Sequence, residues 1–114
     1  MANFSPTAQQ AWLLLAAAGI LEVAWAVGMK FTDGFSRPLP TVIVLVVALA
    51  SFALLGLAMK ALPVGTAYAV WVGIGAAGAA LLGILLFGEP ATTARIGCVL
   101  LIVAGVVGLK LADG

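Results

Sequence analysis

Charge is the scarcest property of this sequence: five Lys or Arg and four Asp or Glu in 114 residues, 8% of the chain, where soluble domains carry about 25%. With 65% hydrophobic residues and a mean hydropathy of +1.30, that shortage argues against a water-soluble fold. Histidine is absent and Cys98 is the single cysteine. With no cluster of carboxylates either, the usual transition-metal ligand sets cannot be assembled within one chain, so haem, iron–sulfur and zinc chemistry are set aside and no cofactor is expected. Cys98 can form no internal disulfide, and within the last apolar run it reads as a small buried hydrophobe. The net charge of +1 is small. Neither a nucleic-acid partner nor an enzymatic activity is expected.

What the sequence has instead is long apolar runs. Its charged residues, Glu22, Lys30, Asp33, Arg37, Lys60, Glu89, Arg95, Lys110 and Asp113, divide it into four largely uncharged blocks. A bilayer-spanning helix needs roughly 20 mostly apolar residues, so the chain accommodates four spans, short loops and no separate soluble domain. The expected helices run about 12–29, 40–59, 64–87 and 93–111, within one transmembrane domain over 1–114. The turn signal Asp33-Gly34 with Pro38 ends the first span, Lys60-Ala-Leu-Pro-Val-Gly connects the second to the third, and Gly88-Glu89-Pro90 breaks the third. Trp12, Phe31 and Phe35 suit interfacial positions. The N-terminal stretch to Gln10 has no Lys or Arg and leads into a span with a carboxylate, so it is expected to be mature structure and not a cleaved signal peptide. Short loops make sequential helices antiparallel neighbours.

Small residues let helices approach closely in lipid. Gly75, Ala79 and Gly83 recur on the third helix, and Gly97 and Gly105 share a face of the fourth; each stripe reads either as packing within one bundle or as a subunit interface. Four helices this size can scarcely enclose a substrate pathway, which favours a dimer. Lys60 and Lys110 on one side of the membrane against Lys30, Arg37 and Arg95 on the other do not fix an orientation. Either a weak bias suffices, or copies insert both ways and pair antiparallel. The second is preferred, because it builds from one short gene the inverted-repeat architecture of larger transporters.

Eight of the nine charges lie at span ends or in loops. Glu22 lies ten residues after Trp12 and eight before Lys30 and cannot reach either interface. A carboxylate at the middle of a span costs about 2.5–3.5 kcal/mol on insertion scales and marks a functional site by default; the bland alternative is a structural hydrogen bond between helices. At that depth a proton and a cation compete for the same carboxylate, and binding one expels the other. Residues three, four and seven apart share a helix face, so Gly19 and Trp25 flank Glu22, Tyr68, Trp71 and Gly75 align on the third helix, and Ser51 is the mid-span polar side chain of the second. An aromatic wall beside a carboxylate suits organic cations, and Ser51 and Tyr68 are expected to hold the Glu22 side chain by hydrogen bonds. Trp25 and Trp71 could also be simple packing. Asp33, Arg37, Glu89 and Arg95 are expected in solvated loops.

Three segments, Gly19-Ile-Leu-Glu-Val-Ala-Trp-Ala-Val-Gly-Met-Lys30, Gly34-Phe-Ser-Arg37 and Leu62-Pro-Val-Gly-Thr-Ala-Tyr-Ala-Val-Trp-Val-Gly-Ile-Gly75, resemble the small multidrug resistance family of bacterial four-helix transporters, and the likeness extends from Trp12 to Lys110. The resemblance implies an all-α membrane protein with four transmembrane helices per protomer, an antiparallel dual-topology dimer in the bacterial plasma membrane, homodimeric or heterodimeric, with Glu22 binding proton and substrate alternately in a site shared between subunits. Trp25 and the Lys60-to-Tyr68 stretch look like the guanidinium-exporter subtype, which implies a narrow, planar pocket. The family's functional positions transfer onto Gly19, Glu22, Trp25, Ser51, Tyr68 and Trp71. On the fourth helix Gly105 matches the association motif, but Cys98 stands near where broad-specificity members have a glycine.

The expected function is proton-coupled export of guanidinium and small substituted guanidinium cations. Export of quaternary ammonium or other multidrug cations is the alternative within transport. Two further classes are a dual-topology ion channel, which a central carboxylate and the lack of Asn in any span disfavour for anions, and a non-transporting assembly subunit.

Overall fold

The computed structural model describes residues 5–113 and contains four α-helices: α1 Ala8–Gly28, α2 Pro38–Ala58, α3 Val64–Phe87 and α4 Thr93–Asp113. Each is long and apolar enough to cross a membrane; at about 1.5 Å per residue, 20 residues already span the ~30 Å hydrocarbon layer. Leu, Ile, Val and Phe side chains stand exposed on all four helices, a distribution suited to lipid and not to water.

α1 begins four residues before the first tryptophan. Thr7 caps it: the Gln10 amide donates to Thr7 Oγ1 at 3.2 Å and the Thr7 amide donates to Gln10 Oε1 at 3.0 Å, a reciprocal capping box that satisfies two otherwise orphaned donors. The helix tightens into a 3-10 turn over Met29–Thr32. There the buried Thr32 hydroxyl donates to the Met29 carbonyl at 2.7 Å and accepts from the Phe35 amide at 3.1 Å, and Asp33 and Gly34 take positive φ as their turn chemistry requires. Pro38 opens α2, where a missing amide costs nothing. Gly88, at φ +65°, ends α3 in the left-handed conformation, and the Glu89 amide returns to the Gly83 carbonyl at 3.2 Å.

α1 packs against α2 and α3, while the backbone of α4 approaches α3. Ala11, Leu15 and Ala18 of α1, Leu55 and Ala58 of α2, Leu62, and Ala67, Val70 and Trp71 of α3 form the buried core. The α1–α3 crossing is close because each helix offers glycine to the other: Gly19 lies under Ile74, and Gly78 under Val23. Gly73 receives Val106 of α4. The small-residue stripe of α3 therefore serves several neighbours. Gly75 faces α1, Gly83 faces the Glu89 side chain, and Gly105 on α4 has open space before it.

Two expectations change here. Cys98 is exposed, not buried, because α4 packs chiefly on α3 and has no buried residue. Glu89 and Arg95 are not free loop charges. They form an ion pair at 3.0 Å, partly shielded, and Arg95 belongs to the first turn of α4. The molecule measures 41 × 37 × 16 Å, a slab little thicker than one helix with its side chains, about 10–12 Å.

Candidate functional site

α1, α2 and α3 each contribute to a cavity of about 640 Å³ lined by Glu22, Trp25, Phe52, Leu55, Gly56, Met59, Tyr68, Trp71 and Val72. Four of the six residues that sequence reasoning placed at the site, Glu22, Trp25, Tyr68 and Trp71, line it together. Their aromatic rings make a continuous wall through Phe52, which sits with its centroid 6.1 Å from Trp25 and 5.6 Å from Trp71, both edge-on, while Tyr68 lies 5.6 Å from Trp71. Sequence reasoning missed Phe52. It follows Ser51 directly and carries no polar atom, so nothing marked it apart from the apolar residues around it. Within the single protomer the cavity is an open groove.

Glu22 meets α3 at Gly75. Its Oε2 is buried and has no hydrogen-bond partner among the described residues. The expected escort by Ser51 and Tyr68 is corrected by this geometry. Ser51, fully buried on α2, donates its hydroxyl to the Ala18 carbonyl of α1 at 2.7 Å and accepts the Trp71 indole N–H at 2.9 Å. A hydroxyl has one proton to give, and Ala18 takes it. Ser51 thus ties the turn of α1 that precedes Glu22 to the α3 tryptophan and leaves the carboxylate alone. Tyr68 is 53% exposed and packs beside Trp71. Gly19 does not line the cavity, its Cα being covered by Ile74. Trp25 Nε1 is likewise buried without a partner.

The arrangement is a single carboxylate with unspent acceptor capacity against hydrocarbon and aromatic faces. Electrostatic attraction, cation–π contact and paired N–H donation all favour a small organic cation there. No group of three or more His, Cys, Asp or Glu able to hold a metal ion occurs among the described residues. The remaining charges lie at the two ends of the helices: Lys110 Nζ rests 5.0 Å over the Trp12 ring at one end, and Lys30 Nζ 5.6 Å over Phe87 at the other.

Residues 10–102 match the Small Multidrug Resistance protein family. A guanidinium exporter of Yersinia pseudotuberculosis is 60% identical over 103 residues, covering 90% of this chain and 99% of that protein. The guanidinium exporters of Salmonella typhimurium and Escherichia coli K12 are 59% and 58% identical over 101 residues, 89% of this chain and 96% of theirs. Four helices able to span a membrane, a carboxylate set among aromatic rings and near-full-length identity of this order agree with one another, and the chain belongs to the Small Multidrug Resistance protein family.

Proposed function

We propose that this protein exports guanidinium and small substituted guanidinium cations across the bacterial plasma membrane in exchange for protons, with Glu22 taking proton and cation in turn. The observation that carries the reading is the Glu22 carboxylate, midway along α1, lining an aromatic-walled groove with Oε2 unpartnered. A planar guanidinium can donate two parallel N–H bonds to such a group, and Trp25, Phe52 and Trp71 offer π faces beside it. The names of the relatives support the same substrate.

The functional unit is a pair of copies in opposite orientation. A slab open along the groove supports this reading, since a second copy supplies the missing wall and a second Glu22. α4, with no buried residue and with Gly105 facing open space, offers a surface for the pairing. Near-balanced basic residues at the two membrane faces allow insertion both ways.

In liposomes, purified protein is expected to move guanidinium against a pH gradient, and Glu22→Gln to abolish coupled transport. Undiminished coupling in that variant would refute the mechanism. The 640 Å³ groove is also roomy enough for a quaternary ammonium ion, which has no N–H to donate; competition between guanidinium and tetraalkylammonium separates the two substrates.

A further inference from the structure

Glu22 reaches α3 at Gly75, which has no side chain to meet it. An alanine Cβ at Gly75 would lie 2.9 Å from Glu22 Cγ and closer still to its carboxyl carbon and Oε2, well inside the ~3.5–4.0 Å at which carbon atoms pack. Elsewhere in the α1–α3 crossing glycine receives hydrocarbon: Gly19 takes Ile74 and Gly78 takes Val23. Gly75 takes a carboxyl group. Its own amide lies inside α3 and is engaged by the helix, so the contact gives Glu22 a surface without giving it a hydrogen bond, in agreement with the unpartnered Oε2.

We infer that Gly75 is a positioning residue for Glu22: its missing side chain is the seat against which the carboxyl rests, at the wall of the cavity, with its acceptor capacity reserved for the cation or the proton. The inference rests on the transport reading, in which Glu22 is the exchanger. A side chain at position 75 displaces the carboxyl into the space bounded by Trp25 and Trp71, where the cation would bind. Gly75 then sets how deep the cation must enter, and so favours one slim enough to reach the seated carboxylate.

Wild type, Gly75→Ala and Gly78→Ala, each with and without Glu22→Asp, are compared by guanidinium affinity from calorimetry and by the infrared band of the carboxyl group at position 22. Overpacking of this kind is expected to weaken binding about tenfold or more in Gly75→Ala. Glu22→Asp shortens the acid by one methylene and withdraws it from the new methyl group, so the double variant binds guanidinium more tightly than Gly75→Ala alone. Gly78→Ala presses on the same helix through Val23 and gains nothing from Glu22→Asp. The carboxyl band moves in Gly75→Ala and stays in place in Gly78→Ala. Losses that multiply in the Gly75→Ala, Glu22→Asp pair, or a band that moves equally in both glycine variants, would assign Gly75 to helix packing alone and overturn the inference. If Gly75→Ala does not accumulate in the membrane, the same test is read as folded protein: Glu22→Asp restores it and Val23→Ala does not, and no restoration overturns the seat. A wild type that fails to bind guanidinium refutes the transport reading, while the infrared comparison still decides the seat.

Discussion

Replacing Ser51 by alanine removes one oxygen atom and unties three helices. In the native arrangement the Ser51 hydroxyl gives its proton to Ala18 and accepts from Trp71 Nε1 at 2.9 Å, with Ser51 fully buried and Trp71 6% exposed. The Ala18 carbonyl lies inside α1, where helix geometry supplies it an amide from four residues on, so it loses little. The indole N–H has no other partner among the described residues and is left unsatisfied, a penalty of about 1–3 kcal/mol in proteins generally. Interhelical hydrogen bonds inside membranes give smaller values, about 0.6 kcal/mol on average and up to ~1.7, because a chain unfolded within lipid also finds partners. The membrane figure governs here, so Ser51→Ala is expected to destabilise by about 1 kcal/mol. Trp71→Phe deletes the donor while leaving the Ser51–Ala18 bond. The cycle Ser51→Ala, Trp71→Phe and their double variant, measured by reversible unfolding in mixed micelles, should then show a coupling of about 0.6–1.7 kcal/mol. Guanidinium affinity should fall in Ser51→Ala as well, because an untethered indole no longer holds one face of the cavity. Additivity within about 0.3 kcal/mol would refute the hydrogen bond as a structural tie.

Two further outcomes follow from the contacts. Trp25→Gly removes the ring that stands edge-on to Phe52 and widens the groove beside Glu22; both cations lose the same π face, but the added space admits the bulkier one, so the preference measured in a competition assay should shift away from guanidinium and toward tetraalkylammonium by roughly tenfold. Gly83→Ala would set a Cβ 2.8 Å from the Glu89 carboxyl carbon and disturb the Glu89–Arg95 pair that brackets the α3–α4 turn. Part of that strain relaxes through a flexible side chain, so about 1 kcal/mol of destabilisation is expected, measurable by thermal unfolding and relieved by Glu89→Ala.

Local chemistry was legible wherever one residue decides the backbone. Asp33-Gly34 and Pro38 mark the turn between α1 and α2, and Gly88 ends α3 at positive φ, because glycine, proline and short polar side chains act on their own φ and ψ. The start of α1 was equally readable in principle: Thr7 and Gln10 spell a capping box, but hydropathy begins later, at Trp12, and hides it. Spacing also brought Glu22, Trp25, Tyr68 and Trp71 to one cavity, since helical periodicity fixes which residues share a face.

Partners across helices were not readable. Ser51 and Glu22 look like natural companions, yet the Ser51 proton goes to a backbone carbonyl, a group that every residue has and no sequence can single out. Phe52 enters the cavity wall, Gly19 leaves it for Ile74, and Cys98 is exposed, all because of how far each helix is rotated about its axis and which neighbours it meets. The sequence by itself determined four apolar helices, their turns and a single carboxylate too deep to reach water, since these depend on composition and on order along the chain. Only the tertiary structure decided that α4 packs chiefly on α3, that the groove is open along a thin slab, and that Glu22 rests on Gly75, because contacts between helices depend on crossing distances that one atom of side chain, present or absent, can change.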